Sequence, residues 1–163
     1  TEKDFFDLKY QVLIEEWKMT NSNIARFDGI IFLLRGWALT LATAGVSFAF
    51  TQKDASICVL LLFPVIAIWL FDALFKMFQR KFTKRFREIE DYMSSSLFEL
   101  DFLNRKMQSF TLPQIGASFA RKRNLKERVS DLVEAAFLHN VWLFYFLTLS
   151  LILAARGIIE IGA

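Results

Sequence analysis

The sequence predicts an all-α integral membrane protein built around a helical hairpin of two spans, and three observations support this. Residues 29–50 contain one charge, Arg35, and a second apolar run, residues 58–78, follows after a link of seven residues. About 20 mostly apolar residues suffice for a helix to cross a bilayer. Although 55% of the residues are hydrophobic, 23% are charged, and most of these charges lie outside the apolar runs. Such segregation favours membrane spans (29–79) over a buried hairpin in a soluble bundle.

The segment before the first span, residues 1–28, is predicted to be a cytoplasmic amphipathic helix that continues into the span. One face carries an apolar stripe at spacings of three and four: Phe6, Tyr10, Leu13, Trp17, Thr20, Ile24, Phe27 and Ile31. The other face mixes acidic and basic residues, which favours packing against helices over lying on lipid. With no short apolar leader region in this segment, we expect the first span to be its own insertion signal.

The region after the second span, residues 80–140, is predicted to be cytoplasmic and helical. Its apolar rhythm continues without a breaker to about Thr111, which predicts one helix on the order of 50 residues from the second span onward. Pro113 and Gly116 then break the pattern, and a last amphipathic helix is expected from about Ala117. It leads into a third apolar run, residues 141–163, which we interpret as a third span, with a re-entrant or interfacial segment as the alternative.

The distribution of Lys and Arg predicts the orientation. Twelve of them lie between the second and third apolar runs, while the turn between the first two runs has only Lys53. Because basic loops stay inside, we expect the N-terminus and the central region to be cytoplasmic in a bacterial inner membrane.

Residues typical of catalysis or metal binding are scarce in the sequence. The single cysteine, Cys58, excludes a disulfide within the chain, and one cysteine with one histidine, His139, argues against a structural zinc site. No nucleophile, phosphate-loop or metalloprotease motif occurs. We therefore expect neither an enzyme nor a bound cofactor or metal.

Polar residues inside the apolar runs are the first candidates for function. Arg35 and Asp72 lie at similar distances from the cytoplasmic ends of their spans, so they could pair across the hairpin, while Arg35 could instead reach the headgroups. The alternative is a charged ring at the inner mouth of a pore. Arg156 and Glu160, spaced i,i+4, could form an equivalent feature at the outer mouth or anchor a helix end.

A row of small and hydroxyl residues follows one face of the first span. It consists of Gly36, Thr40, Thr43, Ser47 and Thr51. Such a row either lets helices approach closely or lines a water-filled path. Both uses imply neighbouring helices, so a pore would need several copies of the chain.

Two groups of basic residues are candidates for binding anions. The first lies just inside the membrane and the second farther along: Arg80, Lys81, Lys84 and Arg85, then Arg121, Lys122, Arg123 and Lys126. Anionic lipid headgroups explain them, and a nucleotide or oligonucleotide ligand is the alternative.

The region from Tyr10 to about Met93 resembles the SLATT group of small bacterial membrane effectors. The likeness lies in the amphipathic helix entering a span with an early Arg35-Gly36-Trp37, the short turn and the charged second helix, together about half the chain. The resemblance implies a membrane effector of antiphage defence under nucleotide control. A Hailong-like system, with a partner nucleotidyltransferase making an oligonucleotide, would suit the basic helices. The third apolar run departs from the two-span pattern.

These observations together predict a homo-oligomer in the bilayer, a tetramer or pentamer. The expected function is a gated ion-conducting pore that arrests growth in response to a nucleotide signal. The alternative is a non-conducting anchor or scaffold for a cytoplasmic partner.

Overall fold

A computed structural model describes residues 2–107, 110–114 and 124–162, and it is helical with no strand in this part of the chain. The helices are α1 (Glu2–Gln52), α2 (Ser56–Met93), α3 (Ser96–Leu103), α4 (Leu125–Ala136) and α5 (His139–Gly162). The predicted all-α class is therefore confirmed. Three helices, α1, α2 and α5, are long and apolar enough to cross a membrane, which makes a membrane protein plausible.

The chain divides into two compact units. We call Asp28–Met77 with Asn124–Ala163 the apolar unit, and Thr1–Phe27 with Phe78–Arg123 the amphipathic unit. These units are defined by packing, and the predicted division at residues 28, 79 and 140 into cytoplasmic and membrane segments stays a prediction. Helix α4 belongs to the apolar unit.

The apolar unit packs α1, α2 and α5 around one core. Helix α1 contributes alanines, α2 contributes Cys58 and Val65, and α5 contributes larger side chains such as Tyr145 and Ile152. Small residues let the helix backbones approach closely, as in membrane helix bundles. The outer faces instead carry large exposed apolar side chains, among them Phe32, Phe63 and Leu151. Such an apolar exterior is unusual for a soluble monomer and fits a lipid environment.

The amphipathic unit packs the first part of α1 against the second part of α2, as the stripe on residues 1–28 predicts. The buried apolar residues are Phe6, Leu13, Ile89, Tyr92 and Met107. The segment after α3 folds back onto these helices, since Tyr92 stacks on Phe110 with ring centroids 4.4 Å apart. Lys9 Nζ also donates a hydrogen bond to the carbonyl of Met107 at 2.7 Å.

The continuous helix predicted up to about Thr111 is wrong, because α2 ends at Met93. Ser94 Oγ donates to carbonyls of the preceding turn, and Ser95 adopts an extended conformation in which its Oγ accepts a hydrogen bond from the amide of Phe98. Serine side chains of this kind compete with the helical backbone and favour caps. A new short helix, α3, therefore starts at residue 96.

The last two helices follow the predicted order. Helix α4 begins at Leu125, and the start predicted near Ala117 lies outside the described residues. Helix α5 covers the third apolar run. Pro64 lies within α2 without ending it.

Candidate functional site

Arg35 and Asp72 form an ion pair inside the apolar unit. Arg35 Nε lies 2.8 Å from Asp72 Oδ2, and the side chain of Asp72 is fully buried while that of Arg35 is 25% exposed. The guanidinium also lies 5.7 Å from the ring centroid of Phe144 on α5. The sequence left open whether Arg35 pairs with Asp72, reaches the headgroups or belongs to a charged ring. In the single chain, Arg35 of α1 pairs with Asp72 of α2. Each charge neutralises the other where little water can reach them.

Tyr145, on α5, completes this cluster and was missed by the sequence analysis. Its side chain is fully buried and lies close to both Asp72 and Arg35. The Tyr145 hydroxyl and Asp72 Oδ1 are both buried without a hydrogen-bond partner of ordinary geometry. A tyrosine within an otherwise apolar run was the available signal, because a buried phenol hydroxyl usually seeks a polar group on a neighbouring helix.

The hydroxyl row lies on the outside of the apolar unit. Each hydroxyl donates to the carbonyl four residues earlier, as Thr40 does to Gly36 at 2.9 Å and Thr43 to Leu39 at 2.7 Å. Ser47 and Thr51 repeat the pattern at 2.9 and 3.0 Å. The members of the row are exposed, so no other part of the apolar unit covers them. The row is therefore available to a second copy of the chain, to lipid or to water.

Gly45 belongs to a different face of α1. A Cβ atom built there would collide with the side chain of Leu61 on α2, whereas one built on Gly36 would meet open space. The close contact within the hairpin is therefore made at Gly45, and the hydroxyl row is not needed for it.

Arg156 and Glu160 pair with each other along α5. Arg156 Nε lies 2.8 Å from Glu160 Oε1, and the two side chains are 42% and 51% exposed. An exposed pair at this spacing contributes at most about 1 kcal/mol. The geometry fits either of the two roles that the sequence left open.

Arg85 has to be removed from the predicted anion-binding residues because it is buried in an internal ion pair. Its Nε and Nη2 lie 2.9 and 3.1 Å from the two carboxylate oxygens of Glu16. Nη2 also donates to the carbonyl of Thr111 at 3.1 Å, and the amide of Gln114 donates to Glu16 Oε1 at 3.0 Å. This network ties Thr111 and Gln114 to α1 and α2, and it leaves the Arg85 side chain only 5% exposed, too little to bind a ligand.

The other basic candidates differ in position. Arg80, Lys84 and Lys126 are exposed, and Lys81 Nζ lies 5.7 Å from the ring centroid of Phe78. Arg121, Lys122 and Arg123 lie outside the described residues. For all of these basic residues, the binding of anions stays a prediction.

Comparison with known proteins adds no homologue: no family model, curated protein or solved structure matches this chain. Among residues 2–107, 110–114 and 124–162, no group of three or more His, Cys, Asp or Glu side chains could hold a metal ion.

Proposed function

We propose that the chain inserts in a membrane and assembles with copies of itself into an ion-conducting pore lined by the hydroxyl row of α1. The observation that carries this proposal is the exposure of Thr40, Thr43 and Ser47 on the outside of a unit whose other outward side chains are mostly large and apolar. Hydroxyl groups offer hydrogen bonds to water and to hydrated ions that aliphatic side chains do not.

Several copies are required for such a path. The centre of the apolar unit is filled by side chains such as Tyr145, Ile152 and Val65, which are fully buried. Ions would therefore pass between copies, with the hydroxyl row of each copy turned to a shared axis. A tetramer or pentamer is the assembly that we expect.

Control by a nucleotide or oligonucleotide is a further part of the proposal. The exposed basic residues Arg80 and Lys84 would attract phosphate groups. The SLATT resemblance implies nucleotide control, and a Hailong-like system would add a partner nucleotidyltransferase that makes the signal. In this proposal the protein is a growth-arresting effector of bacterial antiphage defence, with its N-terminus in the cytoplasm.

A non-conducting anchor or scaffold is the second candidate, and a specific observation favours it. The hydroxyls of the row already donate within α1, and Arg35 is already neutralised by Asp72. The donors of the row therefore require no water, and the row could instead provide a close helix contact between copies.

Ion flux through liposomes distinguishes the two candidates. We expect the purified protein to conduct either without or with added nucleotide. In the conducting condition we expect Thr43→Leu to lower the flux about tenfold, because it replaces a lining hydroxyl with a bulky apolar group. Ser150→Leu is the matched control, since Ser150 is also exposed but lies on α5.

The mass of the detergent-solubilised protein is measured alongside. A monomer, or equal flux for the two variants, would contradict the pore. Tight vesicles from an intact oligomer, with and without added nucleotides, would favour the scaffold.

A further inference from the structure

Helix α4 carries an apolar face that the rest of the apolar unit does not cover. Leu125 is 78% exposed, Val129 51% and Val133 49%, and these residues recur every four positions. Ala135 and Ala136, in the last turn of α4, do pack. Ala136 shares the face of Leu125 and Val129, so this face is covered only at its C-terminal end.

The charges of α4 are arranged around this face in a particular order. With about 100° of rotation per residue, Lys126 and Arg128 flank the apolar face on its two sides. The acidic residues Glu127, Asp131 and Glu134 fall on the opposite side of the helix. Basic residues at the edges and acidic residues far away are the pattern that suits a surface of anionic headgroups.

The exposed face is also continuous with the apolar helices. Only Phe137 and Leu138 separate α4 from α5. Trp69 Nε1, on α2, donates to the carbonyl of Ala136 at 3.2 Å, and the Trp69 and Phe137 rings lie 5.8 Å apart. The end of α4 is thus held beside α2 and the start of α5.

We propose that α4 lies in the bilayer interface, with Leu125, Val129 and Val133 at the boundary with the acyl chains and Lys126 and Arg128 at the lipid phosphates. A second copy of α4 is a poorer occupant of this face. Two such faces in contact would bring Lys126 and Arg128 of one copy close to those of the other, and like charges that meet oppose association. This inference rests on the membrane insertion that the proposed function also requires.

Fluorescence quenching in vesicles of phosphatidylcholine and phosphatidylglycerol tests the inference on the full chain. In a Cys58→Ala background, Val129→Cys and Glu127→Cys each provide a single labelling site for a small polarity-sensitive fluorophore. The two positions lie on opposite sides of α4, so they are matched controls. Phe63→Cys, at an exposed position of α2, reports membrane insertion itself.

We expect spin-labelled lipids to quench the label at residue 129 at least about twofold more than the label at 127, and aqueous iodide to show the reverse order. Leu125→Cys should repeat the result for 129. Strong iodide quenching at both 125 and 129 would overturn the inference in favour of exposure to water. If neither spin-labelled lipid nor iodide quenches the labels at 125 and 129, the inference is overturned in favour of a protein partner such as a second copy. If the label at 63 is not quenched by lipid, membrane insertion and the proposed function fail together.

Discussion

The buried pair of Glu16 and Arg85 predicts a large loss of stability when Glu16 is replaced by Gln. The two side chains are only 2% and 5% exposed, and the carboxylate accepts two hydrogen bonds from Arg85 and one from the amide of Gln114. Glutamine removes the charge and leaves Arg85 with Glu88 Oε2 at 3.3 Å as its remaining carboxylate partner. Removing one partner of a buried pair costs about 3–5 kcal/mol. Because Glu88 compensates in part, we expect about 3 kcal/mol.

Glu15→Gln is the matched control for this substitution. Glu15 is the adjacent residue of α1, but it pairs with Lys18 at the surface, where the two side chains are 73% and 59% exposed. A pair of this kind contributes below about 1 kcal/mol. Each substitution removes one negative charge, so the difference between their effects on stability reports the burial of Glu16.

Thermal unfolding followed by circular dichroism in mild detergent measures the effect. A loss of about 3 kcal/mol should lower the melting temperature by about 6–12 °C for a chain of this size. Exchange of the Gln114 amide should become faster in Glu16→Gln and stay unchanged in Glu15→Gln. Adding Arg85→Met to Glu16→Gln should restore part of the stability, because no unpaired charge then remains buried. Equal melting temperatures for the two single variants, with unchanged exchange at Gln114, would refute the reasoning.

Two further predictions concern the helical hairpin. Gly45→Val should destabilise the protein by about 1–3 kcal/mol because its side chain would collide with Leu61, while Gly36→Val adds a side chain in open space; equal thermal melting of the two variants would contradict this. In the turn between α1 and α2, hydrogen bonds from the Ser56 hydroxyl and amide lower the pKa of Asp54 below its ordinary value of 3.8. The ionised form therefore stabilises the turn above the unfolded-state pKa, and this contribution disappears as the pH falls through the folded-state pKa. An NMR titration should find that Ser56→Ala raises the pKa of Asp54, and no change would argue against these hydrogen bonds.

The helices of the apolar unit could be predicted because their signal is local. A long run of apolar residues without charges determines both where a helix forms and that its surface is apolar. The end of α2 could not be predicted in the same way, since the apolar rhythm continues through Ser94 and Ser95. After the end of α2 the chain turns, and Phe98 and Phe110 pack against Tyr92 from two separate segments. The spacing of apolar residues along the sequence does not reveal contacts of this kind.

The ion pair of the candidate site could be predicted because the sequence shows how far each residue lies from the end of its apolar run. Arg35 and Asp72 lie at matching depths, so their pairing was one of the predicted arrangements. Arg85 was assigned to a basic surface because its neighbours in sequence are basic, although it lies between Phe82 and Ile89 on the apolar stripe of α2. Glu16 likewise lies between Leu13 and Thr20 on the stripe of α1. Opposite charges at buried positions of two neighbouring stripes are a signal for an internal pair, but that signal appears only when the two stripes are compared.

The hydrogen bonds within the hydroxyl row have a consequence for the order of events during biogenesis. Because Thr40, Thr43 and Ser47 donate to carbonyls of their own helix, the row brings no unsatisfied donor into contact with lipid. An unsatisfied polar group in hydrocarbon would cost several kcal/mol and would oblige the chain to find a partner as it enters the bilayer. In the proposed function, a newly inserted single chain would be free of that obligation. Insertion and assembly would then be separable steps, and the amount of inserted protein would determine when copies meet.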